Sequence, residues 1–237
     1  MSLFAVLVLR ELFILKTKDK RGPEEIEMIC YVLTILTVMS GFEKSDPIMF
    51  MVDYRIIAFL FFSIFIPLIV YNDRRIYNTV TALYMFGTTV FAGTTFNMFV
   101  QIRTYDVNYI TYIFLIAFLT DLFGLIVGKL VGETRLTIIS PKKTLEGAVG
   151  GTIIGGVVPA MFFYTVNRGY LPLHLVVLLT MQFSIMGQVG DIVFSYIKRE
   201  FGKKEFSHIV IGDGGILDIM DSIIFIALEF LIIISLI

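Results

Sequence analysis

The sequence predicts an all-α fold: a polytopic integral membrane helical bundle of about seven transmembrane helices, preceded by an N-terminal interfacial helix. Three observations predict it. Of 237 residues, 57% are hydrophobic and only 16% are charged, against about a quarter in ordinary soluble domains. Several uncharged runs reach the roughly 20 residues that cross a bilayer as a helix. Positive charge, finally, alternates from one connection to the next. The net charge of −1 says little, because the two signs are segregated along the chain.

Residues 1–16, MSLFAVLVLRELFILK, are apolar but interrupted by Arg10 and Glu11. No small-residue cleavage site follows, which argues against a removed signal peptide. The stretch reads as an interfacial helix or a short re-entrant piece, and with the basic loop after it forms a segment over 1–25. Seven candidate spans follow, roughly at 26–42, 56–72, 76–100, 107–130, 147–166, 171–197 and 214–237. The first is short for about 30 Å of hydrocarbon, but dropping it would scramble the charge alternation. One set of connections carries Lys16, Lys18, Lys20 and Arg21, then Arg74 and Arg75, then Lys129, Arg135, Lys142 and Lys143, then Lys198, Arg199, Lys203 and Lys204. The other set carries only Lys44, Arg55, Arg103 and Arg168. That bias places the first set in the cytoplasm. The N-terminal spans then occupy 26–106 and a C-terminal region with the chemistry-bearing residues occupies 107–237, in a single membrane domain.

Most of the chain is bland. The single cysteine, Cys30, rules out an intramolecular disulfide and a cysteine-based zinc cage, and reads as a packing residue. Thr and Asn residues of the third span read as interhelical hydrogen-bond glue. Pro67 reads as a kink in the second span whose freed carbonyl is met by neighbours. In the fifth span Gly147, Gly151 and Gly155 recur four apart on one face, which admits close approach of another backbone. A homodimer through that face is compatible with the sequence. His174 reads as a surface residue at the outer end of the sixth span, and Glu229 as outer-leaflet or structural.

Three places carry chemistry. Asp121 lies eight residues before Lys129, about 12 Å into the apolar layer at helical rise, where an acid marks either function or an internal pair. SPKKTLEG, from Ser140 to Gly147, leads into the glycine-faced span. Thr144 stands there at an N-cap position before free N–H groups that favour anions, and Lys142 and Lys143 add charges suited to phosphate. The competing reading is a basic loop touching anionic lipid. The third place, Gly187 to Asp221, organises the rest. Asp191, Ser195, Lys198 and Arg199 share one helix face, Asp218 and Asp221 are i, i+3 neighbours, and Gly214 and Gly215 sit in a turn whose N–H groups suit an anion nest. Asp121, Asp191 and Asp218 fall at comparable depth, roughly 6–12 Å below one surface. A hard divalent cation such as Mg²⁺, which takes carboxylate oxygens and substrate phosphates, would relieve the burial of those charges.

At these residues the chain resembles the phosphatidate cytidylyltransferases, also called CDP-diacylglycerol synthases. The match is carried by Ser195, Lys198, Arg199, Lys204, Glu205, Gly214, Gly215, Asp218 and Asp221 in the spacing of that family's C-terminal signature, by the complete Ser140 to Gly147 loop, and by Gly190 and Asp191. It runs from about residue 120 to 221, and the first hundred residues match only as generic spans. Asp213 stands where the family has histidine, Ile219 where it has arginine, and Glu205 where it has aspartate. His208 is not in the histidine's place. The resemblance implies transfer of a cytidylyl group from CTP to phosphatidate at the cytoplasmic face of the cell membrane, giving CDP-diacylglycerol and pyrophosphate for phospholipid biosynthesis. It implies metal ligands among Asp191, Asp218 and Asp121, catalytic roles for Lys198, Arg199, Lys204 and Asp221, and substrate contacts by Ser140, Lys142, Lys143, Thr144, Ser195, Gly214 and Gly215. CTP, phosphatidate and membrane lipids are the expected partners, and nucleic acid is not. No Walker-type or GxGxxG motif occurs. Two rivals stay open: a CTP-dependent lipid kinase or a cytidylyltransferase for another lipid phosphate, and an ion-coupled transporter, for which no inverted repeat is evident.

Overall fold

A computed structural model describes residues 1–16, 23–40, 53–71, 77–137, 139–140, 143–207 and 214–235. The expectations for Lys142, His208 and Asp213 lie outside the described residues. The chain forms helices α1 (Ser2–Lys16), α2 (Glu24–Met39), α3 (Tyr54–Phe65), α4 (Pro67–Val70), α5 (Thr79–Tyr105), α6 (Val107–Val131), α7 (Leu145–Val166), α8 (Leu173–Glu200) and α9 (Ile216–Ile234). The all-α class is therefore observed, and α2 to α9 fall in order on the seven expected spans. Among the described residues three helices, α6, α7 and α8, are long and apolar enough to cross a membrane.

Two compact units make up the structure. The first comprises Met1–Val100 with Glu205–Asp218. Its core gathers Leu9 and Phe13 of α1, Cys30 and Leu33 of α2, Leu60 and Ile64 of α3, and Met85 and Ala92 of α5. Cys30 is buried, as a packing residue should be. Asn97 donates from Nδ2 to the carbonyls of Thr37, Val38 and Ser40 at 3.0, 3.2 and 2.6 Å, satisfying the C-terminal carbonyls of α2 that have no helical partner. Asn97 thus plays the interhelical role expected of the third span's polar residues, whereas Thr88, Thr89 and Thr94 donate within α5, to the carbonyls of Tyr84, Met85 and Val90. At the Pro67 break between α3 and α4, the Tyr77 hydroxyl donates to the Ile64 carbonyl at 2.6 Å.

Helix α1 buries one broad face carrying Ala5, Val8, Leu9, Glu11, Leu12, Phe13 and Leu15. Tyr84 donates to the Leu12 carbonyl at 2.6 Å, and Glu11 is wholly enclosed.

The second unit comprises Gln101–Lys204 with Ile219–Ile237. Helices α6 and α7 meet along the glycine stripe. A Cβ at Gly147 would lie 2.6 Å from the Gly124 carbonyl oxygen, one at Gly151 2.6 Å from that of Thr120, and one at Gly155 2.7 Å from that of Leu119. The expected close approach is thus made within the chain, and α6 covers the face on which a homodimer was envisaged. Polar contacts lock the interior: Tyr112 to Thr180 at 2.7 Å and Thr120 to Ser184 at 2.8 Å between hydroxyls. Outward, Leu125, Leu130, Val149, Ile153 and Val157 are exposed, the surface a lipid environment favours.

Candidate functional site

The described parts of the loop from α6 to α7 are tied to each other by backbone contacts. An antiparallel bridge joins Arg135 to Thr144, with Leu136 N–H on the Lys143 carbonyl at 2.8 Å and Leu145 N–H on that of Thr134 at 2.9 Å. Glu146 accepts the N–H groups of Glu133 and Thr134. Thr144 is the N-cap of α7, its hydroxyl oxygen accepting the Gly147 N–H at 3.1 Å. Ser140 accepts the Lys143 N–H on its carbonyl at 3.1 Å. Together these contacts set the direction in which Lys143 leaves the loop.

Lys143 is the hub of the second unit's charges. Its ammonium forms an ion pair with Asp191 of α8. Burial pulls the pKa of its amine below the usual lysine range, Asp121 and Asp221 push it back up, and the nearby Lys198 adds to the lowering. Asp121, on α6, stands on the part of that helix left uncovered by protein. Ser195, one turn along α8, donates to Asp191 Oδ1 at 3.3 Å. Lys198 lies 4.0 Å from Asp221 Oδ2, with both side chains close to nine-tenths covered. Asp221 Oδ1 accepts the Ser222 N–H at 2.7 Å. This pairing depends on Gly190, where a Cβ would lie 2.8 Å from the Asp221 carbonyl oxygen, so that only glycine lets α9 come so near α8. Of the four sequence-predicted acids, Asp191 pairs with Lys143, and Asp121 and Asp221 are near enough to act on its charge. Arg199 and Lys204 are exposed, and Arg199 donates to the Lys203 carbonyl at 3.3 Å.

Asp218, Gly214 and Gly215 belong to the first unit. Asp218 Oδ2 accepts two backbone N–H groups, from Phe206 at 2.9 Å and from Gly215 at 2.8 Å. Gly214 adopts φ 86°, a left-handed conformation that glycine enters freely. The Gly215 N–H, expected to face an anion, is therefore directed at Asp218. Sequence reasoning passed over Glu11. It is 0% exposed, and its Oε1 accepts from the Ser207 hydroxyl at 2.7 Å and the Ile216 N–H at 2.8 Å, while Oε2 accepts the Leu217 N–H at 2.9 Å. Its one signal was a carboxylate within an otherwise apolar helix.

Oxygen donors of this kind suit Mg²⁺, which needs one or two carboxylates and fills its other positions with water and substrate phosphates. Among the described residues no three acid, histidine or cysteine side chains stand close enough to hold an ion alone. A cation held by one or two of these carboxylates would need water or phosphate oxygens for its remaining positions.

Comparison with known proteins agrees with this chemistry. The chain is 37% identical to the phosphatidate cytidylyltransferase of Staphylococcus haemolyticus (strain JCSC1435) over 155 residues, which cover 65% of this chain and 59% of that protein. Over the same coverage it is 35% identical to the enzyme so named in Staphylococcus aureus (strain COL), and 36% identical to that of Staphylococcus saprophyticus. The match thus takes in under two thirds of each relative's length. A family model described as "Cytidylyltransferase family" matches residues 1–237, and the chain belongs to the cytidylyltransferase family.

Proposed function

We propose that this membrane protein transfers the cytidylyl group of CTP to phosphatidate. A phosphate oxygen of phosphatidate attacks the α-phosphorus of CTP, the bond from that phosphorus to the β-phosphate bridging oxygen breaks, and pyrophosphate leaves with the electron pair. The products are CDP-diacylglycerol and pyrophosphate. The observation that carries the reading is the Lys143–Asp191 ion pair, with Lys198 beside Asp221 and with Asp121 and Asp221 near enough to act on Lys143. Charge as nearly covered as that of Lys198 and Asp221 is costly without a function to retain it.

Little covalent chemistry falls to the protein, so positioning and charge neutralisation are what it supplies. Lys143 and Lys198 hold phosphate oxygens from inside the unit. Arg199 and Lys204, both exposed, draw the triphosphate from outside, and Lys142 adds a further positive charge to the sequence of the loop before α7. Ser140 and Thr144 donate hydrogen bonds, and the Thr144 hydroxyl retains its proton for this while its oxygen caps α7. Ser195 steadies Asp191, and Gly214 and Gly215 shape the turn before α9. When bound, Mg²⁺ would neutralise charge on the triphosphate; Asp191 and Asp121 are the second unit's carboxylates assigned to it, and Asp218 is assigned to it on the sequence resemblance alone. The excess of cations in the loops that carry Lys143 and Lys198 supports an active side facing the cytoplasm of the cell membrane.

Purified protein given labelled CTP and phosphatidate, with and without divalent metal, tests the reading. Metal-dependent formation of CDP-diacylglycerol with pyrophosphate is expected. Release of CDP would instead identify a kinase, and absence of any turnover would remove the enzymatic reading.

A further inference from the structure

Glu11 poses a problem of energy before it poses one of function. A carboxylate with no exposure is tolerated only when its oxygens are fully hydrogen-bonded. Here both are: Oε1 takes the Ser207 hydroxyl and the Ile216 N–H, and Oε2 takes the Leu217 N–H. Ile216 and Leu217 are the first two residues of α9, whose N–H groups have no acceptor within the helix. A negative charge at that end is also favoured by the helix dipole. The donor set was built around the carboxylate at close quarters, since a Cβ on Gly215 would lie 2.8 Å from both Glu11 oxygens.

The same turn is grasped a second time by Asp218. Its Oδ2 takes the N–H of Phe206 and the N–H of Gly215. Each carboxylate therefore holds one group before residue 208 and another after residue 213. Glu11 grips from α1 and Asp218 from α9 itself. Removing Glu11 leaves the first turn of α9 without its external acceptors, and that turn carries Asp218, with Asp221 three residues further along.

We infer that Glu11 is a positioning residue for the transfer reaction: it fixes the start of α9, and through it the orientation of Asp218. The inference rests on the cytidylyl-transfer reading for its consequence and on geometry alone for its cause. A displacement of about 1 Å at a positioned group can lower turnover by as much as a hundredfold, so a lost grip is read in kcat and not merely in yield.

The full-length chain in lipid nanodiscs tests it with Glu11→Gln, Glu11→Ala and Ser207→Ala. Turnover is normalised to folded protein, and hydrogen exchange is followed at the Ile216 and Leu217 amides. Expected are a kcat about tenfold or more lower in Glu11→Ala, a smaller loss in Glu11→Gln, which keeps one acceptor, and a CTP KM within about twofold throughout. Amide exchange should speed up in the same order. Ser207→Ala removes a single donor and keeps the fold measurable should the Glu11 variants not fold; its kcat should fall severalfold. A purely structural role predicts lower yield with unchanged kcat per folded molecule, and that result overturns the proposal. A wild-type chain without turnover would sink the functional reading instead. Exchange at Ile216 and Leu217 then decides the grip by itself, and no change in Glu11→Ala overturns it.

Discussion

Lys143, delivered by the bridged loop before α7, closes an ion pair with Asp191 in the C-terminal half of α8. The two residues lie in different elements, and burial lowers the pKa of the Lys143 amine while nearby acids raise it. If the pair is one phosphate- and metal-handling device, its members do not act independently. Lys143→Ala and Asp191→Asn should each lower kcat/KM by about tenfold or more, and the double variant should lose much less than the product of the two. A double-mutant cycle on kcat/KM checks this, with an expected coupling of about 0.5–3 kcal/mol. Strict additivity would mean that the pair is incidental.

Lys198 and Asp221 allow structure and function to be separated. Breaking a buried pair on one side leaves an unmatched charge, whereas replacing both partners by apolar residues of similar size is often neutral. Lys198→Met and Asp221→Leu should each lower the melting temperature in detergent. The double variant should recover most of that loss while remaining inactive. Recovery of turnover along with stability would show the pair to be structural only.

The glycine stripe makes a graded prediction. Gly151→Ala places a methyl group 2.6 Å from a backbone carbonyl of α6, and backbone cannot swing aside as a side chain can. Helices α6 and α7 must part, at about 1–3 kcal/mol as in other overpacked cores, and Asp121 follows Thr120 at that contact. Gly156→Ala meets nothing nearer than 3.8 Å and should gain up to about 1 kcal/mol from helix propensity. Thermal unfolding of the two variants side by side measures the difference. Equal melting temperatures would contradict the close helix contact.

What the sequence disclosed, and what it withheld, follows the range of the interactions. Thr144 as a cap and the helices α2 to α9 were legible because caps and apolar runs are local signals. The stripe of Gly147, Gly151 and Gly155 announced close approach, but small residues at that spacing serve a second copy as readily as a neighbour in the same chain. The structure supplies α6 as the partner. Asp191 and Lys143 each stood out in the sequence as charges beside apolar spans, yet their pairing did not, since it depends on how the loop is bridged at Arg135 and Thr144. Glu11 was hidden most completely. All its donors come from residues near the other end of the sequence, and no local pattern around Arg10 and Glu11 points to them. The resemblance based on residues 120 to 221 also understated the match, which takes in residues 1–237.

Asp218 offers the sharpest test of the metal assignment, because its two roles respond differently to two substitutions. As a structural acceptor it needs only Oδ2, which receives the N–H groups of Phe206 and Gly215. Asparagine keeps a carbonyl oxygen able to accept both, so Asp218→Asn should leave the turn and the membrane-inserted fold intact. As a metal ligand it needs its charge, which asparagine lacks. Asp218→Asn should then reduce Mg²⁺-dependent conversion of CTP and phosphatidate by about a hundredfold or more, with a melting temperature close to that of the wild type. Asp218→Ala should lose activity and stability together, the latter by about 1–3 kcal/mol for the two unmatched N–H groups. Turnover and thermal unfolding measured on both variants check the argument. Near-normal turnover in Asp218→Asn would leave Asp218 a turn-holding residue and return the metal to the carboxylates around Lys143.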